Sequence, residues 1–333
     1  MYYILEKKLS YISLMKAIHL NFNDTSVSSA DIDFAENLFD QRSVVRLVRD
    51  VLDDEQLLER IAGRSYIHAL GFYKIVLMDL SKDFTNHKQK TQLRLHIWNP
   101  TPSEHGEVAL PIVESLHEHS FDFVSTVISG KLENQQFLSR PLSEKERDVL
   151  EKVKKVLPTL SDEDKVFIND QVESEESARL SYIGSTQYQE LNMDLVRDVE
   201  RFMTLTHLTP TELKILCSIQ GHYVSDRVAG ERKAYKHVLK DYVALTPYQV
   251  LNLKAGDTYF HPFQMPHRLL YDSSILNSTL LITTPVPSNP EGGSLQRPTY
   301  VQKSEQHYDK IPFTANSLRD VLVNYLNFLI ANQ

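Results

Sequence analysis

The sequence predicts a mainly β chain: one antiparallel β-domain with a helical lead-in, a long helical insertion and a closing helix. Short β-branched and aromatic runs bounded by Asn, Pro and Gly, such as FYKIVLMDL (72–80) and LRLHIWNP (93–100), read as strands. These runs fall into two groups separated by roughly a hundred residues of charge-dense helical sequence. Neither group has enough strands to close a sheet alone, so the two groups combine into one domain.

Residues 1–70 form the lead-in. From about 28 onward the apolar spacing is helical, and in SVVRLVRDVLDDEQLLERIAG the residues Val44, Val45, Leu47, Val48, Val51 and Leu52 mark one face. The first part of the β-domain spans 71–138 and includes FVSTVISGKLENQQF (123–137). Residues 139–235 read as the helical insertion, with LSEKERDVLEKVKKVL, LNMDLVRDVERFMTL and TPTELKILCSI. The last of these opens on Thr-Pro-x-Glu, an N-cap and first-turn pattern. Strands return over 236–290 with VALTPYQVLNLKAGDTYFHP and STLLITTPVP. Residues 291–333 are a strap and a helix, the composition of SNPEGGSLQRP (288–298) marking a loop. In SLRDVLVNYLNFLIA the residues Leu318, Val321, Leu322, Tyr325, Phe328 and Leu329 form one stripe that packs back on the body.

A chain of 333 residues buries a core without staples. Its single cysteine, Cys217, fits a reducing compartment. The formal charge of -8 excludes a global basic field of the kind that captures nucleic acid or acidic lipid. No segment has the unbroken apolar core of a signal peptide or the length of a membrane span. The expectation is a cytoplasmic protein with a small-molecule partner.

The chemistry starts at His117-Glu118-His119. Two histidines one residue apart face the same way on extended backbone. Read with GDTYFHPFQMPHRLLY (256–271), the pair resembles the two motifs of the cupin superfamily. The first motif is met by His117, His119 and Gly130, and the second by Gly256, Pro262 and His267, with Gln264 where the family usually has Gly. The resemblance implies a small antiparallel barrel, a jelly roll, in which His117, His119 and His267 converge on a divalent transition metal. Ligand chemistry agrees, since imidazole suits such ions and three histidines leave coordination positions open.

Order and spacing over roughly 60–137 and 243–287 are similar to the thiol dioxygenase branch, whose best-known member is cysteine dioxygenase. The shared traits are Trp98 followed by Asn99-Pro100, Ser115 ahead of the His pair, and His267-Arg268. This branch implies Fe(II), with Ni, Mn or Zn as alternatives, and dioxygen as co-substrate.

Several positions depart from the branch. Phe123 occupies the place of the usual metal-binding Glu, or of the crosslinking Cys. Leu280, Ile282 and Thr284 stand where the branch has Ser-x-His-x-Tyr, and Lys74 stands near its carboxylate-binding Arg. Asp122 points away from the Phe123 face of a regular strand and reads as a solvated or turn acid unless a bulge turns it inward. His261 reads as a core histidine, its alternative role being support of the ligands. Phe121, Phe123, Tyr259, Phe263 and Tyr271 make the mouth aromatic and serve mainly as core.

The expected function is a mononuclear non-haem iron oxygenase acting on a small acid-bearing metabolite, a thiol or amino-acid derivative other than free cysteine. Lys74, Arg94 and Tyr271 are its candidate catalytic residues, with Lys74 or Arg94 meeting the anionic group. The alternatives are a metal-binding cupin without oxygen chemistry, acting as a ligand sensor, and an isomerase-type barrel. The insertion serves as a lid, a specificity element or the arm of a homodimer.

Overall fold

The computed structural model describes residues 11, 14, 18, 27–68, 72–81, 90–98, 112–114, 116–119, 121–173, 193–227, 235–272, 274–284, 298–299 and 311–332. Asn99-Pro100, Ser115, most of the first 26 residues and all of the 288–298 strap except Pro298 lie outside these.

The lead-in folds into helices α1 (Ser29–Leu38), α2 (Gln41–Asp53) and α3 (Glu55–Ala62). The side chains of Asp40 and Asp54 accept bonds from the backbone N–H groups of Ser43 and Leu57, capping α2 and α3. A cap of this kind is worth about 1 kcal/mol. Strands β1 (Tyr66–Ile67), β2 (Tyr73–Ser81), β3 (Lys90–Trp98), β4 (Ile112–Val113), β5 (Phe123–Ser129) and β6 (Lys131–Pro141) follow. The insertion contributes α4 (Glu144–Val156), α5 (Asp162–Glu173), α6 (Met193–Thr206) and α7 (Pro210–Cys217). After it come β7 (Ile219–Arg227), β8 (Tyr235–Lys254), β9 (Thr258–His261), β10 (His267–Tyr271), β11 (Asn277–Thr283), β12 (Pro298–Thr299), β13 (Ile311–Pro312) and α8 (Ala315–Ala331).

The strands form two antiparallel sheets, in the orders β13-β1-β2-β3-β11-β5-β9 and β12-β7-β8-β6-β10-β4. Each sheet contains strands from both sides of the insertion. The fold is mainly β and cupin-like, with helices at both ends, as the sequence predicts.

Strand alternation divides the first sheet into two faces. Ile75, Leu77, Leu93, Leu95, Ile97, Leu280 and Ile282 face outward and pack under α2, α3 and α8 through Val44, Val48, Leu58, Leu318, Leu322 and Tyr325. Phe72, Trp98, Phe123, Val127, Tyr259 and Leu281 face inward and meet Leu132, Leu253, Leu269 and Tyr271 of the second sheet. The barrel interior lies between the sheets. The predicted C-terminal stripe is realised, with Leu318, Leu322, Tyr325 and Leu329 buried.

Two glycines turn the chain at the hairpin ends. Gly130 has φ +79°, and a Cβ there would meet Asn277 Oδ1 at 2.1 Å, so any side chain clashes with the amide that accepts from Lys131 N. Gly256, at φ +95°, makes the turn between β8 and β9.

The segment 139–235 is not helical throughout. β6 continues to Pro141, and β7 runs from Ile219 to Arg227, paired with β8 along its length. The β7 sequence IQGHYVSDR is polar, so its strand character comes from the distant partner β8. The insertion packs its own core of Val149, Leu150, Val153, Ile168, Phe202 and Leu216, joined to the sheet through Ile219. The Thr-Pro-x-Glu signal is borne out by a capping box between Thr209 and Glu212, with Pro210 in the first turn of α7. No described helix is long and apolar enough to cross a membrane.

Candidate metal centre

The site begins with a strand pairing between residues far apart in the chain. The segment carrying the first two histidines runs beside β10, with Glu114 N donating to Leu269 O at 2.8 Å. His117 and His267 exchange both backbone bonds, at 2.9 and 2.8 Å, and so sit directly opposite each other. Side chains of a directly opposed antiparallel pair lie on one face. Alternation then brings His119 to the same face. Gln264 N closes the corner on His119 O at 2.9 Å. Gln264 has φ +57°, the left-handed region where glycine is at ease.

The three histidines converge. One ligand atom from each of His117, His119 and His267 can be chosen so that all lie within 4.8 Å of one another. His119 Nε2 and His267 Nε2 are 3.0 Å apart. That spacing suits two nitrogens held about 2.0–2.1 Å from one ion, and equally a hydrogen bond between one protonated and one bare nitrogen. His267 is buried while His117 and His119 are half-buried, so the point of convergence opens to one side.

The surroundings prepare His267 as a ligand. Its Nδ1 lies 3.1 Å from Asn134 Oδ1, an acceptor that places the ring proton on Nδ1 and leaves Nε2 bare. Burial first, then the neighbouring His261 and His117, hold its pKa well below the ordinary histidine value. The imidazole is therefore neutral, as a metal requires.

His261 is adjacent but engaged at both nitrogens. Its Nε2 donates to Met265 O at 3.0 Å, and its Nδ1 faces Gln136 Nε2 at 3.4 Å. Gln136 Oε1 accepts in turn from Gln249 Nε2 at 2.6 Å. Its ring lies 4.0 Å from that of His267 and stacks on Phe123 at 4.8 Å. Burial pushes its pKa down to about 3. His261 thus packs behind a candidate ligand, on β9 of the opposite sheet, across the turn expected from Pro262 and Pro266.

Asp122 is buried, which excludes the solvated alternative and leaves it as an acid that holds a turn. Its carboxylate accepts from Phe263 N at 2.6 Å and from Val27 N at 3.3 Å, while its backbone N–H donates to Thr284 Oγ1. It ties the loop before His267 to the strand after His119. Phe123 lies beside the histidines, its ring edge-on to His119 at 5.2 Å.

The candidate catalytic residues do not all gather here. Arg94 lies one ring away: its guanidinium sits 4.7 Å over Phe121, which stacks on His119 at 5.2 Å. Lys74 pairs with His96 across the sheet, and its ammonium lies 5.2 Å from the Tyr66 ring. Tyr271 is four residues from His267 along β10, about 13 Å at strand rise. The structure brings it to Trp98 instead, with ring centroids 6.0 Å apart. Trp98 Nε1 donates to Glu114 at 2.7 Å. Full burial raises the Glu114 carboxyl to about 7, against the opposing effect of the Trp98 bond.

Asn134 and Glu114 are missed by the sequence reading. Asn134 carries a legible signal, since Leu132, Asn134 and Gln136 share one strand face and Leu132 is core. Glu114 lies outside any motif.

A cleft of about 600 Å³ runs along the insertion. Helix α4 forms one wall through Arg147 and Leu150, β7 and β8 another through His222 and Tyr242, and Glu118 and Gln264 line it from the histidine loops.

No family model and no curated protein matches the chain. Among solved structures, one described as crystal structures of DMSP lyases is similar at 11% identity and a TM-score of 0.24, covering 70% of this chain and 53% of that chain. This chain spans about half the length of the structure it matches.

Proposed function

We propose that this chain is a mononuclear non-haem Fe(II) oxygenase that uses dioxygen on a small acid-bearing metabolite other than free cysteine. The observation that carries the reading is the donor set: three imidazoles facing one point, with Phe123 where a carboxylate ligand would stand. His117, His119 and His267 would hold the ion, which when bound supplies open coordination positions for substrate and dioxygen.

The rest of the reading concerns the chain's own groups. Asn134 orients His267. Phe121 and Phe123 keep water from the histidines on the barrel side. Arg94, one ring from His119, is the better placed of the two cations to meet an anionic substrate group. The cleft under α4, lined by Glu118 and Gln264, supports a specificity role for the insertion. A reducing cytoplasmic setting would keep iron ferrous.

A second reading is acid–base chemistry without oxygen, favoured by Glu114, a buried acid poised near 7 in the same interior. The test is metal analysis of anaerobically purified protein, then oxygen uptake with a panel of thiols and small carboxylic acids. Stoichiometric iron and substrate-dependent uptake are expected, both lost in His119→Ala. Turnover that proceeds equally under argon would select the second reading, and protein without metal would sink the first.

A further inference from the structure

We infer that the cleft beneath α4 is a small-molecule site of its own, built for a zwitterion of the amino-acid type: its carboxylate is met by Arg147 on the α4 wall and its ammonium by Glu118 of the histidine segment. Such a site needs no metal ion, because none of the three histidines lines the cleft.

The α4 wall is cationic. Arg147, Leu150, Glu151 and Lys154 stand at i, i+3, i+4 and i+7, so they share one helical face, and all four line the cleft. Two cations against one acid leave this wall net positive. Lys154 donates to Glu151 at 3.0 Å, and its ammonium lies 4.9 Å from the Tyr242 ring. Arg140, which also lines the cleft, is held by two bonds of 2.7 Å to Glu146. Arg147 is the one lining cation that no carboxylate among the described residues holds. Its guanidinium presents the planar fork that fits a carboxylate.

The other wall is acidic. Alternation turns the Glu118 side chain away from the face that carries His117 and His119, and it lines the cleft in a residue only 6% exposed. Glu118 Oε1 lies 3.9 Å from His222 Nε2, and His222 Nδ1 lies 2.8 Å from Asp241 Oδ1. His222 thus stands between two carboxylates. With two acids and at most one imidazolium, this wall is net negative.

A molecule of single charge is repelled by one of the two walls, whereas a zwitterion is attracted by both. Leu142, Leu150 and Val243 supply apolar lining for a short aliphatic chain between the charges. The volume, about 600 Å³, falls within the range of small-molecule sites.

Isothermal titration calorimetry of the full-length protein provides the test. The probes are 4-aminobutanoate and 6-aminohexanoate, each beside the carboxylate, the amine and the diamine of the same chain length. Saturable one-to-one binding of at least one amino acid is expected, about tenfold tighter than its singly charged counterparts. Glu118→Gln should weaken that binding about tenfold. Arg147→Glu should invert the preference, so that the diamine binds more tightly than the amino acid of equal length. Arg42→Gln, which removes an exposed cation on α2 outside the cleft, should bind as wild type does.

Absence of amino-acid binding at millimolar concentration overturns the proposal and leaves the histidine site standing. Binding no tighter than that of the singly charged probes overturns it too, as does an amino-acid preference that survives Arg147→Glu. Unchanged affinity in folded Glu118→Gln, or an equal loss in Arg42→Gln, has the same consequence. Should Glu118→Gln fail to fold, the inverted preference of Arg147→Glu still tests Glu118, which supplies one of the two acids that a diamine needs.

Discussion

The barrel interior holds two buried polar centres, one near each end of β10, and they handle burial in opposite ways. At the His267 end, three rings bring nitrogen atoms to one point, and burial of His267 is met by holding its ring neutral. At the Tyr271 end, a carboxyl group lies against Trp98, and burial shifts its protonation instead. His267 avoids charge through a ring held below its ordinary pKa, and Glu114 through a carboxyl held above its own. An interior of this kind can accept a cation at the first end and a proton at the second.

The largest expected effect comes from moving an acid between the ends. Phe123→Glu places a carboxylate beside His119 and His261 without a partner. The metal-free protein should lose about 3–5 kcal/mol, the usual penalty for an uncompensated buried charge. Adding Zn(II) or Co(II) should restore much of this by supplying the missing opposite charge. Urea unfolding with and without metal measures both arms. No difference between the two would show that position 123 does not face the ion.

The next effect belongs to the other end and depends on pH. Glu114 has its carboxyl raised from 4.5 to about 7 in the fold, so the native state binds the proton more tightly than the unfolded chain does. Its effect on stability is absent below about pH 4.5, and stability falls as pH rises from there through about 7. The full penalty is about 3 kcal/mol, as an upper bound. Glu114→Gln, which retains an acceptor for Trp98, should match wild type at pH 5 and exceed it at pH 8. Equal stability differences at the two pH values would remove the buried acid from the comparison.

The smallest effect concerns how the histidine end is held. The loop before His267 is tied down by Asp122, whose carboxylate accepts from Phe263 N. Asp122→Ala should cost about 2 kcal/mol and weaken metal binding, since the loop carries His267. A stability loss with unchanged Co(II) affinity would mean that the His117–His267 pairing alone keeps the ligands in place.

Much of the fold was legible because its signals are local. The faces of α2 and α8 repeat at helical spacing, and their apolar stripes are buried as that spacing demands. The cap before α7 is visible as Thr-Pro-x-Glu for the same reason. β7 was hidden because IQGHYVSDR has no apolar alternation of its own and becomes a strand through pairing with β8. Which alternative holds for Asp122 has no local signal, because its partners, Val27 and Phe263, lie 95 and 141 residues away. Tyr271, expected among the aromatic residues of the mouth and as a catalytic candidate, is carried by strand rise to Trp98.

What the sequence determined by itself was which atoms are available: imidazoles at 117, 119 and 267, no carboxylate at 123, and alternation that points a His-x-His pair one way. Tertiary structure alone decided that His117 and His267 pair, that Asn134 stands behind His267, and that Glu114 is sealed against Trp98. The reason is the range of the forces. Side-chain direction is set within a few bonds by backbone sterics, whereas register between distant strands and the protonation of a buried group depend on everything packed around them.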